Sequence, residues 1–137
     1  MLNIVLHEPE MPANTGNIGR TCVATGTRLH LIEPLGFKLN EKAVKRAGLD
    51  YWDKLDVLVY DDYEDDCYIM FGKESAGIPE EILVNNEENC IRIPMVGDIR
   101  SLNLSNSVAI VLYEALRQNN FVDMNLAGEL HHMHWKE

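Results

Sequence analysis

The sequence predicts an α/β fold in which a mainly parallel sheet carries helices on both faces. Short apolar runs suited to buried strands recur along the chain and alternate with segments of helical periodicity. Glycine and proline punctuate the junctions between them. The length of 137 residues fits one hydrophobic core, so residues 1–137 are expected to form a single domain.

Five short apolar segments, most of them closed by glycine or proline, are predicted to be strands. They are Leu2–Leu6, Leu29–Ile32, Val57–Tyr60, Tyr68–Phe71 and Cys90–Ile93.

Helices are predicted between these strands. Asn14–Asn17 can cap a helix through Ile18–Ala24 that stops at Gly26. A second helix covers Lys42–Ala47, and a short one follows Pro79. The strongest signal is Leu104–Gln118, where apolar residues at helical spacing form one wide face.

The connection Asp61–Asp66 joins two predicted strands without a helix. Parallel neighbours need a crossover of about a dozen residues or more. Either these two strands are not neighbours, or a segment that belongs here is absent.

Composition excludes several classes of protein. The chain is 46% hydrophobic and 25% charged, close to the globular average, and no apolar run is long enough to span a bilayer. Its first residues lack a basic region and a cleavage site, so a cytoplasmic protein without a membrane partner is expected. The odd number of cysteines and the lack of a CxxC indicate buried free thiols at Cys22, Cys67 and Cys90.

The net charge of −10 argues against a general nucleic-acid binder, because phosphate contacts dominate such binding. Bases nevertheless concentrate in the segment Lys38–Lys54. A local basic patch and an ordinary solvated helix face are both open interpretations of this segment.

Two polar segments follow predicted strands. Asn14–Arg20 lies where a strand leads into a helix, so backbone N–H groups there can meet an anion, and the Arg20 guanidinium suits a phosphate or carboxylate. In Phe71–Pro79, Gly72 would let a ligand approach the backbone, and Glu74 could face a cationic ligand or orient Arg20. A helix cap with a surface arginine, and an ordinary turn, are the structural alternatives.

A third polar segment, Ile93–Ser107, has more serine and asparagine than one helix cap requires, which favours a ligand site. The histidines of the tail, His131, His132 and His134, do not predict a metal site, because adjacent histidines rarely converge on one ion. His7, alone after the first strand, is interpreted as structural.

Together these segments resemble the SPOUT class of knotted methyltransferases. The similarity is greatest to the small single-domain subfamily, the TrmL or YibK type, that methylates the ribose 2′-oxygen of the tRNA wobble nucleotide, cytidine or uridine 34. The matching text runs in order through residues 8–22, 46–51, 71–79, 93–95, 100–107 and 113–118.

The resemblance implies a C-terminal trefoil knot, S-adenosylmethionine (SAM) as methyl donor with S-adenosylhomocysteine (SAH) as product and no metal, a tRNA substrate, and a homodimer whose partner completes each site. Residue roles are carried over by position. The resemblance implies Arg20 as the catalytic arginine with Asn14, Glu74 and Asn103 in support, a cofactor pocket at Gly72, Ile93, Ser101 and Leu102, and substrate contacts or activity at Arg100 and Tyr113.

The sequence departs from the family at Tyr63–Asp66, where the family usually has a helix and a further strand that contributes to the cofactor pocket. A non-catalytic RNA-binding relative of the knotted fold is the main alternative. A dinucleotide-dependent oxidoreductase would need a GxGxxG motif, which the chain lacks.

Overall fold

A computed structural model describes residues 2–39, 42, 57–60 and 68–136, with the backbone alone at 57–60. The strands in this part of the chain are β1 (Asn3–His7), β2 (Arg28–Ile32), β3 (Val57–Tyr60) and β4 (Tyr68–Phe71). The helices are α1 (Pro12–Thr25), α2 (Glu80–Val84) and α3 (Leu104–Gln118), with a 3-10 turn at Glu87–Asn89.

The four strands form a parallel sheet in the order β3-β2-β1-β4. In the centre, Leu6 of β1 lies opposite Leu31 of β2 and Phe71 of β4. The predicted parallel sheet is confirmed. Strands β3 and β4 lie at opposite edges and are not neighbours, but they run parallel in one sheet and still need a crossover, so their position does not explain the short connection; Asp61–Asp66 itself lies outside the described residues.

One face of the sheet packs against α1 and α3. Alternate residues of β1 and β2 point to this face, so apolar side chains of both strands meet the apolar stripes of the two helices. The buried cluster consists of Ile4, Leu6, Ile18, Cys22, Leu29, Leu31, Leu104, Val108 and Leu112. The helix predicted at Lys42–Ala47, which would bear on whether helices cover both faces, lies outside the described residues apart from Lys42.

Helix α1 begins earlier than predicted. It starts at Pro12, a residue suited to the first helical turn, and ends as predicted at Gly26, whose φ of 62° is left-handed. Asn14 is therefore no N-cap but a buried side chain inside the first turn. Helix α3 has the predicted bounds, Leu104–Gln118.

The predicted strand Cys90–Ile93 is wrong. Cys90 has extended backbone, with φ of −83° and ψ of 133°, but these residues pair with no strand of the described part of the chain. Ile91 is 72% exposed. An apolar β-prone segment becomes a strand only where a neighbour accepts its hydrogen bonds, and β4 pairs with β1 alone.

The cysteines differ in environment. Cys22 is buried as expected, and burial raises the pKa of its thiol to about 12. Cys90 is exposed, contrary to the expectation of a buried thiol, and Cys67 lies outside the described residues. The local reason is the missing strand pairing at Cys90.

Thiol alkylation should distinguish Cys90 from Cys22. In the folded protein at about pH 8 we expect iodoacetamide to modify Cys90 and to leave Cys22 intact, because the reactive species is an accessible thiolate. Peptide mass spectrometry reports each site separately, and labelling in urea is the control that should release Cys22. Equal labelling of both sites in the folded protein would contradict this burial pattern.

Candidate functional site

A cavity of about 430 Å³ opens at the edge of the sheet where the strands end, bounded by the end of β4 and the starts of α1 and α3. Predicted site residues from three distant segments line it: Asn14, Gly72, Glu74, Ser101, Leu102 and Asn103. Its other lining residues are Met11, Phe71, Lys73, Gly77, Leu104 and Ser107. Parallel topology explains this convergence, because all the carboxyl ends of the strands reach one edge.

The Glu74 carboxylate lies at the start of α1. It accepts hydrogen bonds from the backbone N–H of Glu10 (2.9 Å) and Met11 (3.1 Å) and from Asn14 Nδ2 (3.4 Å). Helix α1 has no acid in its first turn and no side-chain cap of its own. Glu74 therefore supplies the negative charge that favours a helix N-terminus, and it orients Asn14 rather than pointing at open solvent.

Asn103 connects the two helices that border the cavity. Its Nδ2 donates to Asn14 Oδ1 (3.0 Å), and its Oδ1 accepts from the backbone N–H of Ser105 (2.9 Å) and Asn106 (3.4 Å). One side chain thus caps α3 and holds the amide of Asn14. Together with Glu74 it satisfies both ends of the Asn14 side chain.

Gly72 lines the cavity and also lies where the loop packs tightly against itself. An ideal Cβ at Gly72 would overlap the carbonyl carbon of Gly77 and the amide nitrogen of Ile78. The loop turns back on itself through Gly77, which has a φ of 71° and donates to the carbonyl of Lys73 at 2.8 Å. The lack of a side chain at Gly72 therefore makes room for the chain's own loop.

The other predicted residues do not line this cavity. Arg20 and Arg100 are exposed, and Ile93 is half-buried. Tyr113 borders a separate cavity of about 760 Å³ beside Leu2 and Thr27, at the end of the sheet where the strands begin. A single protomer brings together the predicted support residues and three of the four predicted cofactor residues, but neither Ile93 nor the predicted catalytic arginine.

Prediction from sequence missed the contacts of the segment Glu8–Met11. Glu8 forms an ion pair with Lys73 at 3.1 Å, and the Glu10 carboxylate accepts from Ser75 Oγ (2.7 Å) and Ser75 N–H (3.2 Å). The carboxylates flanking Pro9 were the available signal. Nothing local to them indicates partners more than sixty residues away.

The described histidines form no metal site. His131 and His132 lie in an exposed tail, with ring centroids 6.1 Å apart and ring planes tilted by 43°, and no group of residues that could hold a metal ion occurs among residues 2–39, 42 and 68–136. His7 Nδ1 is buried without a hydrogen-bond partner within the described chain. Among the described helices, none combines the length and the apolar character that a membrane span requires.

Comparison with known families gives one match that spans most of the chain. The profile described as the SpoU rRNA Methylase family matches residues 1–66 and 60–113. The two matches meet at residues 60–66, the region of the short connection between β3 and β4.

Individual relatives agree with this match. An Escherichia coli K12 protein named tRNA (cytidine(34)-2'-O)-methyltransferase is 46% identical over 147 aligned positions, covering 86% of this chain and 94% of the relative. A Listeria monocytogenes protein, which carries the same name as a provisional assignment, is 50% identical over 150 positions, covering 87% and 89%. A solved structure reported under "Structural insights into the 2-OH methylation of C/U34 on tRNA" superposes with a TM-score of 0.81 at 39% identity, covering 88% of this chain and 97% of that one.

These alignments are longer than the chain. They extend over 147 and 150 positions, although only 86% and 87% of the 137 residues take part. The relatives therefore contain residues that this sequence lacks, which agrees with the departure noted at Tyr63–Asp66.

Proposed function

The chain belongs to the SpoU methylase family, and we propose from that premise that it transfers a methyl group from SAM to the ribose 2′-hydroxyl of cytidine or uridine 34 in tRNA anticodon loops. The observation that carries the proposal is the 46% identity to the Escherichia coli tRNA (cytidine(34)-2'-O)-methyltransferase over 94% of that protein. The site adds physical support, since three family-like polar segments converge on one cavity.

The residues around the cavity fit SAM. A volume of about 430 Å³ falls within the range of about 300–1,000 Å³ that is usual for small-molecule sites. Phe71, Leu102 and Leu104 give apolar walls, while Ser101 and the backbone at Gly72 offer polar groups. SAM, when bound, supplies a methyl group on a positively charged sulfur. The nearby Glu74 carboxylate carries the opposite charge, which favours this cation.

Arg20 acts on the RNA in this proposal. Its planar guanidinium holds a phosphate and stabilises negative charge that develops on the ribose oxygen. It lies on the exposed stripe of α1 formed by Ala13, Asn17, Arg20 and Ala24, whereas Asn14 points into the cavity. Arg20 follows Asn14 by six residues, so it lies about 9 Å further along the helix and about 120° around its axis. In this proposal Arg20 therefore serves the cavity of another protomer.

A homodimer supplies that second cavity. Large apolar side chains are exposed on α3 and beyond it: Ile110 is 48% exposed, Val122 67% and Trp135 65%. A second copy of the chain that covers such residues removes apolar surface from water and brings Arg20 to the partner's site. The C-terminal trefoil knot of the family belongs to the same proposal, as does a single domain spanning residues 1–137.

The substrate is tRNA, and binding is expected to weaken with salt. The chain carries a net charge of −10, so attraction to phosphate has to come from local bases such as Lys38, Lys42 and Arg20. Lys45, Arg46 and Lys54 of the same basic segment lie outside the described residues. Because the proposed substrate is tRNA, the proposed location of the enzyme is the cytoplasm, with no membrane partner.

The direct test is transfer of labelled methyl from SAM to total tRNA, followed by nucleoside mapping. We expect label as 2′-O-methylcytidine or 2′-O-methyluridine at position 34. A tRNA with a 2′-deoxynucleotide at position 34 is the matched control, and it should accept no label because the acceptor oxygen is absent. Label that persists on the deoxy substrate, or no label on any RNA, would refute the proposal.

A further inference from the structure

Glu10 lies at a junction of three loops beside the cavity. Its backbone N–H donates to Glu74 Oε2 at 2.9 Å, and its carboxylate accepts from Ser75 Oγ at 2.7 Å and from Ser75 N–H at 3.2 Å. The carboxylates of Glu10 and Glu74 thus each accept hydrogen bonds from the segment that contains the other. Glu74 binds backbone donors at the start of α1, and Glu10 binds donors in the loop that carries Glu74. These reciprocal hydrogen bonds from side chain to backbone resemble those of a helix capping box, but they join two distant parts of the chain.

The third loop restrains Glu10 from the other side. Gly36 donates its N–H to the carbonyl of Pro9 at 2.9 Å, and an ideal Cβ on Gly36 would lie only 2.8 Å from Glu10 Cα. Glu10 is half-buried and has little room to move. A shift of the Ser75 loop therefore displaces Glu10, and through it the first turn of α1.

We propose that Glu10 is a positioning residue that couples the cofactor wall at residues 72–77 to helix α1, and so to Asn14 and Arg20. The consequence of this coupling for catalysis rests on the proposed function. The coupling of the loop at residues 72–77 to α1 does not depend on that function. Glu10 touches neither the cavity nor, on the geometry here, any reacting atom, so it acts through Ser75 and Glu74.

The variants are Glu10→Ala, Glu10→Gln and Ser75→Ala. Alanine at position 10 removes both acceptors, whereas glutamine retains them in part, because its carbonyl accepts from the Ser75 N–H and its amide donates to the Ser75 hydroxyl. Glu33→Ala, an exposed carboxylate at the same edge, is the matched control.

The first measurement is amide hydrogen exchange in the protein without SAM. We expect Glu10→Ala to speed exchange at Ser75 about tenfold, and also at Met11, whose N–H is bonded to Glu74 and not to Glu10. Glu10→Gln should restore slow exchange, and Glu33→Ala should leave it unchanged. Unchanged exchange at Met11 in Glu10→Ala would refute the coupling.

The second measurement is SAH affinity by calorimetry, well below the unfolding temperature. Glu10→Ala and Ser75→Ala should each weaken SAH binding about tenfold, and the double variant should be no weaker than either single one. A lower unfolding temperature with unchanged SAH affinity would reduce Glu10 to a purely structural residue. Failure of the wild type to bind SAH would count against the proposed function, while hydrogen exchange would still decide the coupling.

Discussion

Replacing Gly72 with alanine is expected to destabilise the protein by about 3 kcal/mol, because the new methyl group has no space. An ideal Cβ there would overlap backbone atoms of Gly77 and Ile78, which cannot rotate away as a side chain can. The loop has to open, and the cavity wall at residues 72–77 opens with it. Urea unfolding measures the loss of stability. Calorimetry with SAH measures the loss of cofactor affinity that follows when the cavity wall opens.

Gly128→Ala is the matched control for this substitution. An added Cβ at Gly128 meets no atom within 4 Å, and that glycine lies in the exposed tail. Its free energy of unfolding should stay within about 0.5 kcal/mol of the wild type. If Gly72→Ala were as stable as Gly128→Ala, the tight return of the loop onto Gly72 would be wrong.

Removal of the Glu74 carboxylate is expected to have the largest effect on catalysis. Glu74→Ala leaves the N–H groups of Glu10 and Met11 and the amide of Asn14 without their common acceptor. Each hydrogen bond to a charged group contributes about 1.5–3 kcal/mol. A loss of about 4 kcal/mol from the positioning of Asn14 and α1 corresponds to a fall in kcat of about a thousandfold.

Glu74→Gln and Glu88→Ala make the measurement specific. Glutamine keeps one acceptor oxygen but turns an amide N–H₂ towards a backbone donor, so we expect an intermediate loss of about tenfold to a hundredfold in kcat. Glu88 is an exposed acid in the 3-10 turn, and its alanine variant should match the wild type. Single-turnover methyl transfer separates the variants, and equal rates for Glu74→Ala and Glu88→Ala would exclude the positioning function of Glu74.

The sequence predicts the regular elements well where local signals and burial agree. Val57–Tyr60 and Tyr68–Phe71 are short apolar runs typical of strands, and the bounds of both match the structure. Leu104–Gln118 combines an asparagine cap with an apolar stripe, and its bounds also match. These patterns depend on neighbours in the chain, which a sequence displays directly.

Prediction fails where the decisive partner is remote. Cys90–Ile93 has the composition of a strand, but no strand of the described chain pairs with it. The partners of Glu10 and Glu74 lie sixty-odd residues away, so no local pattern reveals them. The convergence of Asn14 with Asn103 was expected only from the family resemblance, and the outward direction of Arg20 follows from the angular position of that residue on α1.

The central position of β1 in the sheet matters while the protein is being made. Synthesis proceeds at about 5–20 residues per second, so β4 follows β1 from the ribosome by on the order of 10 s. Until then β1 has one bare edge, which is open to pairing with any other extended chain. The Asn14–Asn103 hydrogen bond spans 89 residues and forms later still. A nascent chain therefore lacks this contact between α1 and α3, and its risk of aggregation is greatest in the interval before β4 is synthesised.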